Sequence, residues 1–415
     1  MSSRSASSLL CRVTMPLRRW LRWLSGGSWR RVAAGIALLA GLVGAAGVLL
    51  VSLGLVPISA SSGHWKATGW LLHYTMRRAV STQSMGIEVP PLDDPALILK
   101  GAGHYHTGCL VCHGGPGNKR SLIVQQMTPE PPFLPPRIAH WAPQELFLIV
   151  RDGVKFTAMP AWPAPQRDDE VWAMVAFLQA LPGMSERRYR ELALGDRAGN
   201  SSGGARAAER ARPQDDALSP VLADCSRCHG IDGSGRGGAV PRLTGQSQAY
   251  LLGALQAYAG GQRHSGIMQP IAAGLEPSVL KALARHYAEL PVPARADEPQ
   301  VSAEALERGR ALAERGVPER GVPSCAHCHG PKRSPRNPMY PGIAGQYSGY
   351  LKQQLELFTS GQRGGSAYAN VMHSAAQRLT PEQMQALADY YASLPSDASP
   401  SLADEPTHPS QVQQR

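Results

Sequence analysis

The sequence predicts an all-α protein, with one N-terminal transmembrane helix followed by three small helical domains. Three observations carry this expectation. The pattern C-x-x-C-H occurs at residues 109–113, 225–229 and 325–329. Downstream of each copy lies a stretch with apolar residues on one helical face, at 171, 174, 175, 178 and 181, at 280, 283, 284, 287 and 290, and at 384, 387, 388, 391 and 394. Residues 32–56 contain no charged side chain and are long enough to cross a bilayer.

C-x-x-C-H is the attachment pattern of a c-type haem. Two thiols add to the porphyrin vinyl groups, and the adjacent imidazole binds iron from one face. Cys109, Cys112 and His113, then Cys225, Cys228 and His229, then Cys325, Cys328 and His329 use six of the seven cysteines and imply three covalently attached haem c groups with their iron. The competing chemistries are a disulfide and an all-thiolate zinc site. Each cysteine pair is followed at once by His, and the pairs stand about a hundred residues apart; zinc would not need that His three times. A redox-active C-x-x-C would sit near a βαβ pattern, and none is visible.

The chain of 415 residues has room for two to four domains, and its 43 Gly and 35 Pro suit small, loop-rich ones. Of the formal net charge of +11, seven positive charges are the arginines of residues 1–31, which hold no acid, leaving +4 for the remainder. Two propionates per haem would bring that remainder close to neutral. The basic excess is a tail rather than a patch interleaved with aromatics, so nothing points to nucleic acid.

At 1.5 Å per residue, residues 32–56 would extend about 37 Å, more than the roughly 30 Å hydrocarbon core. The arginine-rich flank stays in the cytoplasm and the rest is exported. This gives a single anchor in a bacterial inner membrane with the haem domains in the periplasm. A cleaved signal peptide is the rival, with residues 58–60 a tolerable cleavage sequence. The apolar length favours the anchor, since a signal peptide needs only about 7–15 such residues. Cys11, on the cytoplasmic side, has no partner; it is incidental or, alternatively, acylated. In the juxtamembrane segment 57–92, Trp65, Trp70, Leu71, Leu72, Tyr74, Met76, Arg77 and Arg78 fit either a helix lying at the membrane surface or a lead-in helix to the first domain.

The first haem domain spans 93–184. Met159 follows His113 by 46 residues, and a thioether on the second face of the iron raises its reduction potential. The closing helix, 168–181, starts with Asp168, Asp169 and Glu170 and stops before Pro182. Residues 185–215 are polar and lack a sustained apolar period, which reads as a linker. Domains at 216–293 and 300–397 form an internal repeat, followed by a tail, 398–415. At an offset of 100, Cys225, Cys228, His229, Pro241, Gly245, Gln246, Tyr250, Leu251, Gly261, Gln262 and Arg263 match Cys325, Cys328, His329, Pro341, Gly345, Gln346, Tyr350, Leu351, Gly361, Gln362 and Arg363. The offset then becomes 104, pairing Met268 with Met372, Leu275 with Leu379 and Tyr287 with Tyr391. Residues 380–383 make a capping box for the last helix. The G-x-G-x-x-G match at 233–238 follows a haem attachment pattern rather than a strand and reads as a loop.

All three segments resemble class I cytochrome c domains, and 216–397 resembles the tandem dihaem periplasmic cytochromes c through G-Q-x-x-x-Y-L, G-Q-R and the late Met. The resemblance implies His113, His229 and His329 as proximal ligands and Met159, Met268 and Met372 as distal ligands. The middle domain departs from the pattern: it shows no long helix before Cys225, and its short loop to Met268 contains His264, a rival ligand. A lone Met more often fills core space, but Met268 and Met372 share one repeat position. Arg263 and Arg363 are either partners for haem propionates or ordinary surface arginines, His264 and His373 are exposed or flank the ligands, and Tyr250 and Tyr350 are expected in the core.

These features imply no catalytic residue and an electron-transfer protein, not an enzyme, because an iron with both axial positions filled has none left for substrate. Its partners would be redox proteins at the inner membrane: a quinol–cytochrome c reductase or membrane dehydrogenase as donor and a terminal oxidase as acceptor. The alternatives are the cytochrome subunit of an alcohol- or gluconate-type membrane dehydrogenase, and a haem reductase or peroxidase using the middle haem.

Overall fold

The computed structural model describes residues 29–195, 218–293, 301–330, 337–366 and 368–396. Cys11, most of the basic N-terminus, the later part of the expected linker and the C-terminal tail lie outside them. Two compact units divide the chain at His64 and Trp65.

The first unit contains α1, Trp29–Ser52, whose apolar side chains are exposed along its length. Its membrane-length portion is Arg31–Ser52, 22 residues with mean hydropathy 2.4. The helix therefore ends four residues before the uncharged stretch does, at a turn containing Gly54 with φ of 66°.

The second unit is helical, and among the described residues it has no β-strand, only three isolated bridges in loops. Helix α2, Lys66–Gln83, buries Val80 and packs its C-terminal half near Trp141, over which Arg77 lies 4.8 Å from the ring centroid. Trp65, Trp70, Leu71 and Tyr74 in its N-terminal half are exposed. The segment thus combines the lead-in helix with an exposed aromatic face.

In the segment 93–184, α3 (Pro95–His104) is capped by the Asp94 carboxylate and continues through a π-helical turn, Tyr105–Cys109, into Leu110–His113, which ends the first C-x-x-C-H pattern. Helices α4 (Pro143–Asp152) and α5 (Asp168–Ala180) complete the core, with Val171, Met174, Val175 and Leu178 buried as the periodicity predicts. Gly101 of α3 meets α5 so closely that a Cβ would overlap the Ala173 carbonyl. The segment expected to be a linker begins differently. Residues Glu186–Leu194 form α6, capped by Ser185, and Tyr189 is fully buried against Tyr105 and Phe177. Three buried residues, Tyr189, Leu192 and Ala193, suffice to dock this short helix, too few to show as a sustained apolar period.

The repeat adds α7 (Ser219–His229), α8 (Gln248–Ala259) and α9 (Pro277–Glu289), then α10 (Ala303–Arg315), α11 (Ser348–Thr359), α12 (Ala369–Ala376) and α13 (Pro381–Ser393). In the last domain α10 crosses α13 as α3 crosses α5, with Gly309 against the Ala386 carbonyl and the Tyr390 Cβ. In the middle domain α7 itself carries Cys225, Cys228 and His229, and the stretch before it, 196–217, where a long helix was not expected, lies outside the described residues. The capping box at Thr380 and Gln383 is formed in both directions, at 3.3 and 2.9 Å. Residues 233–238 are a loop in which four glycines take positive φ, closed by Leu243 N–H donating to the Gly233 carbonyl at 2.8 Å.

Candidate haem sites

Each attachment pattern ends a helical turn that is stopped by a glycine, Gly114, Gly230 or Gly330, with φ between 65° and 77°. The turn presents both sulfurs of the pair and the imidazole together. Burial pushes the Cys109 thiol up to about 12, helped by Cys112, and the Cys225 and Cys325 thiols up to about 11.

All three imidazoles are oriented in the same way. Nδ1 lies 2.9 Å from the Pro132 carbonyl oxygen in His113, 3.2 Å from that of Pro241 in His229 and 3.0 Å from that of Pro341 in His329. A carbonyl only accepts, so Nδ1 carries the proton and the Nε2 lone pair is left for a metal, the usual arrangement behind a ligating His. Burial lowers the pKa of His113 and His229, more than the proline carbonyls raise it, which keeps both rings neutral as a ligand requires. Two of these prolines are the repeat pair Pro241 and Pro341, whose role was not evident from their matching positions alone.

The second and third sites open into one continuous cavity of about 630 Å³. Its walls carry Cys225, Cys228, His229 and Met268 of the middle domain and Cys325, Cys328, His329 and Met372 of the last. His264 also reaches this cavity, whereas His373 does not and instead bonds the Arg363 carbonyl through Nε2 at 2.5 Å. Residues Cys109, Cys112, His113 and Met159 of the first site are not part of this cavity, and Met159 is half-buried in the loop after α4.

Where the two repeat domains meet, the G-Q residues perform a reciprocal exchange. Gln246 bonds both backbone groups of Gly342, accepting at 3.0 Å and donating at 2.6 Å. Gln346 bonds both backbone groups of Arg242, each at 3.0 Å. Tyr250 and Tyr350 pack against the cores of their own domains, as expected, and in addition each hydroxyl accepts from an arginine of the other domain: Arg363 to Tyr250 at 3.1 Å and Arg263 to Tyr350 at 3.4 Å. Arg263 is only 8% exposed, which removes the ordinary surface reading for it. Gln354 Oε1 accepts from both guanidiniums, at 3.4 Å from Arg263 and 2.7 Å from Arg363. Among the described residues neither arginine forms an ion pair with a carboxylate. Burial opposes ionisation of Tyr250, yet the two guanidiniums outweigh it and lower its pKa. Two clustered cations beside the shared cavity, without a protein anion, match the carboxylates a haem would bring.

Cysteine pairs, oriented imidazoles, the Met268 and Met372 side chains in the cavity wall and this cationic junction together fit covalent haem. The model for cytochrome c matches residues 220–282 and 306–395, and that for cytochrome c oxidase, cbb3-type, subunit III, matches 96–178. The chain is 35% identical over 180 residues to the thiosulfate dehydrogenase electron acceptor of Thiomonas intermedia, covering 43% of this chain and 82% of that one. Its identity to cytochrome c4 of Thiocapsa roseopersicina is 31% over 172 residues, 41% of this chain and 86% of the relative. The solved cytochrome c4 of Acidithiobacillus ferrooxidans aligns at 32% identity and a TM-score of 0.37, covering 41% of this chain and 99% of that chain. By its three attachment turns and by a relative covered over 82% of its length, the chain belongs to the cytochrome c family, as a multi-domain c-type cytochrome with covalently bound haem.

Proposed function

We propose that this protein is a membrane-anchored, periplasmic electron-transfer protein carrying three haem c groups and no catalytic residue of its own. Cys109 with Cys112, Cys225 with Cys228, and Cys325 with Cys328 would hold the haems through thioethers; His113, His229 and His329 and the thioethers of Met159, Met268 and Met372 would serve as iron ligands. A bound haem supplies reversible one-electron exchange. The side chains' part would be to hold the iron, keep water from it and balance charge, the last through Arg263 and Arg363.

The observation that carries this reading is one cavity lined by Cys225, Cys228, His229 and Met268 together with Cys325, Cys328, His329 and Met372. It favours close passage of electrons between two sites over a pocket built for a substrate. The Thiomonas relative is named as an electron acceptor of thiosulfate dehydrogenase, which supports a dehydrogenase as electron donor, with a quinol–cytochrome c reductase as the other candidate. The match of the first domain to an oxidase subunit supports a terminal oxidase as acceptor. The apolar α1 supports anchoring.

Haem load tests the proposal directly. Protein expressed with a competent maturation system should exceed the polypeptide mass by three haems and stain for haem after denaturing electrophoresis. Its reduced-minus-CO difference spectrum should be nearly flat, because low-spin irons with two protein ligands bind CO poorly. Two haems or fewer, or a strong CO signal from one site, would sink the three-haem relay and turn attention to the middle haem as a reaction centre.

A further inference from the structure

The middle site obtains its distal loop support from outside its own domain. In the last domain the residue after Met372 is His373, whose Nε2 ties the loop back to the Arg363 carbonyl. The residue after Met268 is Gln269, whose side-chain oxygen is buried without a hydrogen-bond partner. The loop is also four residues shorter in the middle domain. Its anchors come instead from the first haem domain. Glu170, only 3% exposed on the first turn of α5, accepts from Ser265 Oγ on one carboxylate oxygen and from the Gly266 N–H on the other, both at 2.6 Å. Ser265 Oγ in turn accepts from the Met268 N–H at 3.0 Å and the Ile267 N–H at 3.3 Å. Arg167 pairs with Glu170 at 3.0 Å and donates to the His264 carbonyl at 2.7 Å. Trp162 donates to Glu170 at 3.3 Å and lies so close to Gly266 that a Cβ there would overlap the indole. Ile267 packs into the first domain's core. Every residue from 264 to 267 is therefore gripped by Arg167, Glu170, Trp162 or that core, and Met268 is one hydrogen bond further on.

We propose that Glu170 is a positioning residue for the middle haem, holding the 264–268 loop so that Met268, rather than His264 or water, occupies the distal iron position. This rests on the assignment of Met268 as the ligand. A carboxylate receiving two loop donors makes charge-assisted hydrogen bonds, the stronger kind, and leaving their buried donors unpaired makes loop release costly. Docking of the first domain thereby sets the ligation state of the second.

The test uses the full-length, haem-loaded protein. Met268→Ala serves as the reference and should remove about one third of the thioether-to-iron absorption near the red end of the ferric spectrum, given one thioether per iron. Glu170→Ala and Ser265→Ala should each weaken that absorption, by no more than the reference does, and each should speed imidazole binding to one iron of the three by about tenfold or more, the factor that losing a hydrogen bond to a charged group carries. Glu170→Gln, whose amide oxygen satisfies one loop donor but not both, should fall between Glu170→Ala and the wild type. Wild-type absorption and imidazole kinetics in both Glu170→Ala and Ser265→Ala, with the reference loss intact, would overturn the positioning role alone. An unchanged spectrum in Met268→Ala would overturn the ligand assignment and the proposal with it. If Glu170→Ala fails to accumulate, Ser265→Ala, which deletes only the hydroxyl, decides the matter.

Discussion

His113, His229 and His329 each donate Nδ1–H to a proline carbonyl, and that single bond decides which ring nitrogen is left free for a metal. A proline lacks an amide hydrogen but keeps its carbonyl, so the acceptor is available beside a chain that forms no competing ladder. Two glycines do comparable work by having no side chain. Gly101 and Gly309 let α3 and α10 approach the closing helices to backbone contact. Gly309→Ala should cost about 1–3 kcal/mol, because the added methyl meets the Ala386 carbonyl, which cannot step aside as a side-chain end could. Thermal unfolding followed by absorbance of the haem-loaded protein should show the last domain melting several degrees lower. An unchanged midpoint would mean the helix pair relaxes without loss. C-x-x-C-H was legible in the sequence because its chemistry is local, whereas the glycine contacts were not, since nothing in the residues around Gly309 marks what lies opposite.

Among the elements, α1 and α6 illustrate opposite cases. The Arg31–Ser52 portion of α1, 22 residues at 1.5 Å each, extends about 33 Å and matches a bilayer core. Its apolar side chains are exposed all round, as a lipid-facing helix requires. The full-length protein should pellet with membranes and resist salt washing, while a version lacking residues 1–60 behind an exchanged signal peptide should be soluble, red and spectrally unchanged. Quantitative release of the wild type by osmotic shock would show instead that the segment is a cleaved signal. Helix α6 gave no comparable signal. Its stability comes from Tyr189 wedged between Tyr105 and Phe177, and from Arg236 of the middle domain donating to the Glu191 and Leu192 carbonyls at its C-terminal end, where a cation is favoured. The polar exterior that suits a linker equally suits a short helix docked by one aromatic residue.

At the scale of the whole second unit, the first turn of α5 is the junction of the three segments that match cytochrome models. Glu170 and Arg167 hold the middle domain, while Asp169 pairs with Arg167 and Lys100 and accepts from Gln353 of the last domain at 2.8 Å. Burial by itself would raise the pKa of Asp169, but its hydrogen bonds to Arg167 and the charge of Lys100 outweigh burial and lower it from 3.8 to about 2. A depressed carboxylate stabilises the folded state above its unfolded pKa and loses that contribution as pH falls through the folded one. The stability that Asp169 contributes should therefore be full above about pH 4 and decline toward about pH 2. Asp169→Asn should flatten that decline in an acid titration followed by near-ultraviolet circular dichroism. An identical acid profile in the variant would show that other carboxylates govern the junction.

The sequence by itself determined the attachment chemistry, the three closing helices and the repeat of the last two domains. Each of these is written within one turn, one helical face or the repeat offsets of 100 and 104, at neighbouring or matching positions. Only the tertiary structure decided that Gln246 and Gln346 exchange backbone partners, that Tyr250 and Tyr350 meet arginines across a junction, and that Glu170 grips the loop before Met268. Those contacts join residues 87 to 113 positions apart. A polar side chain at a buried junction has the same letter as one in water, and its hydrogen bonds leave no period in the chain that carries it.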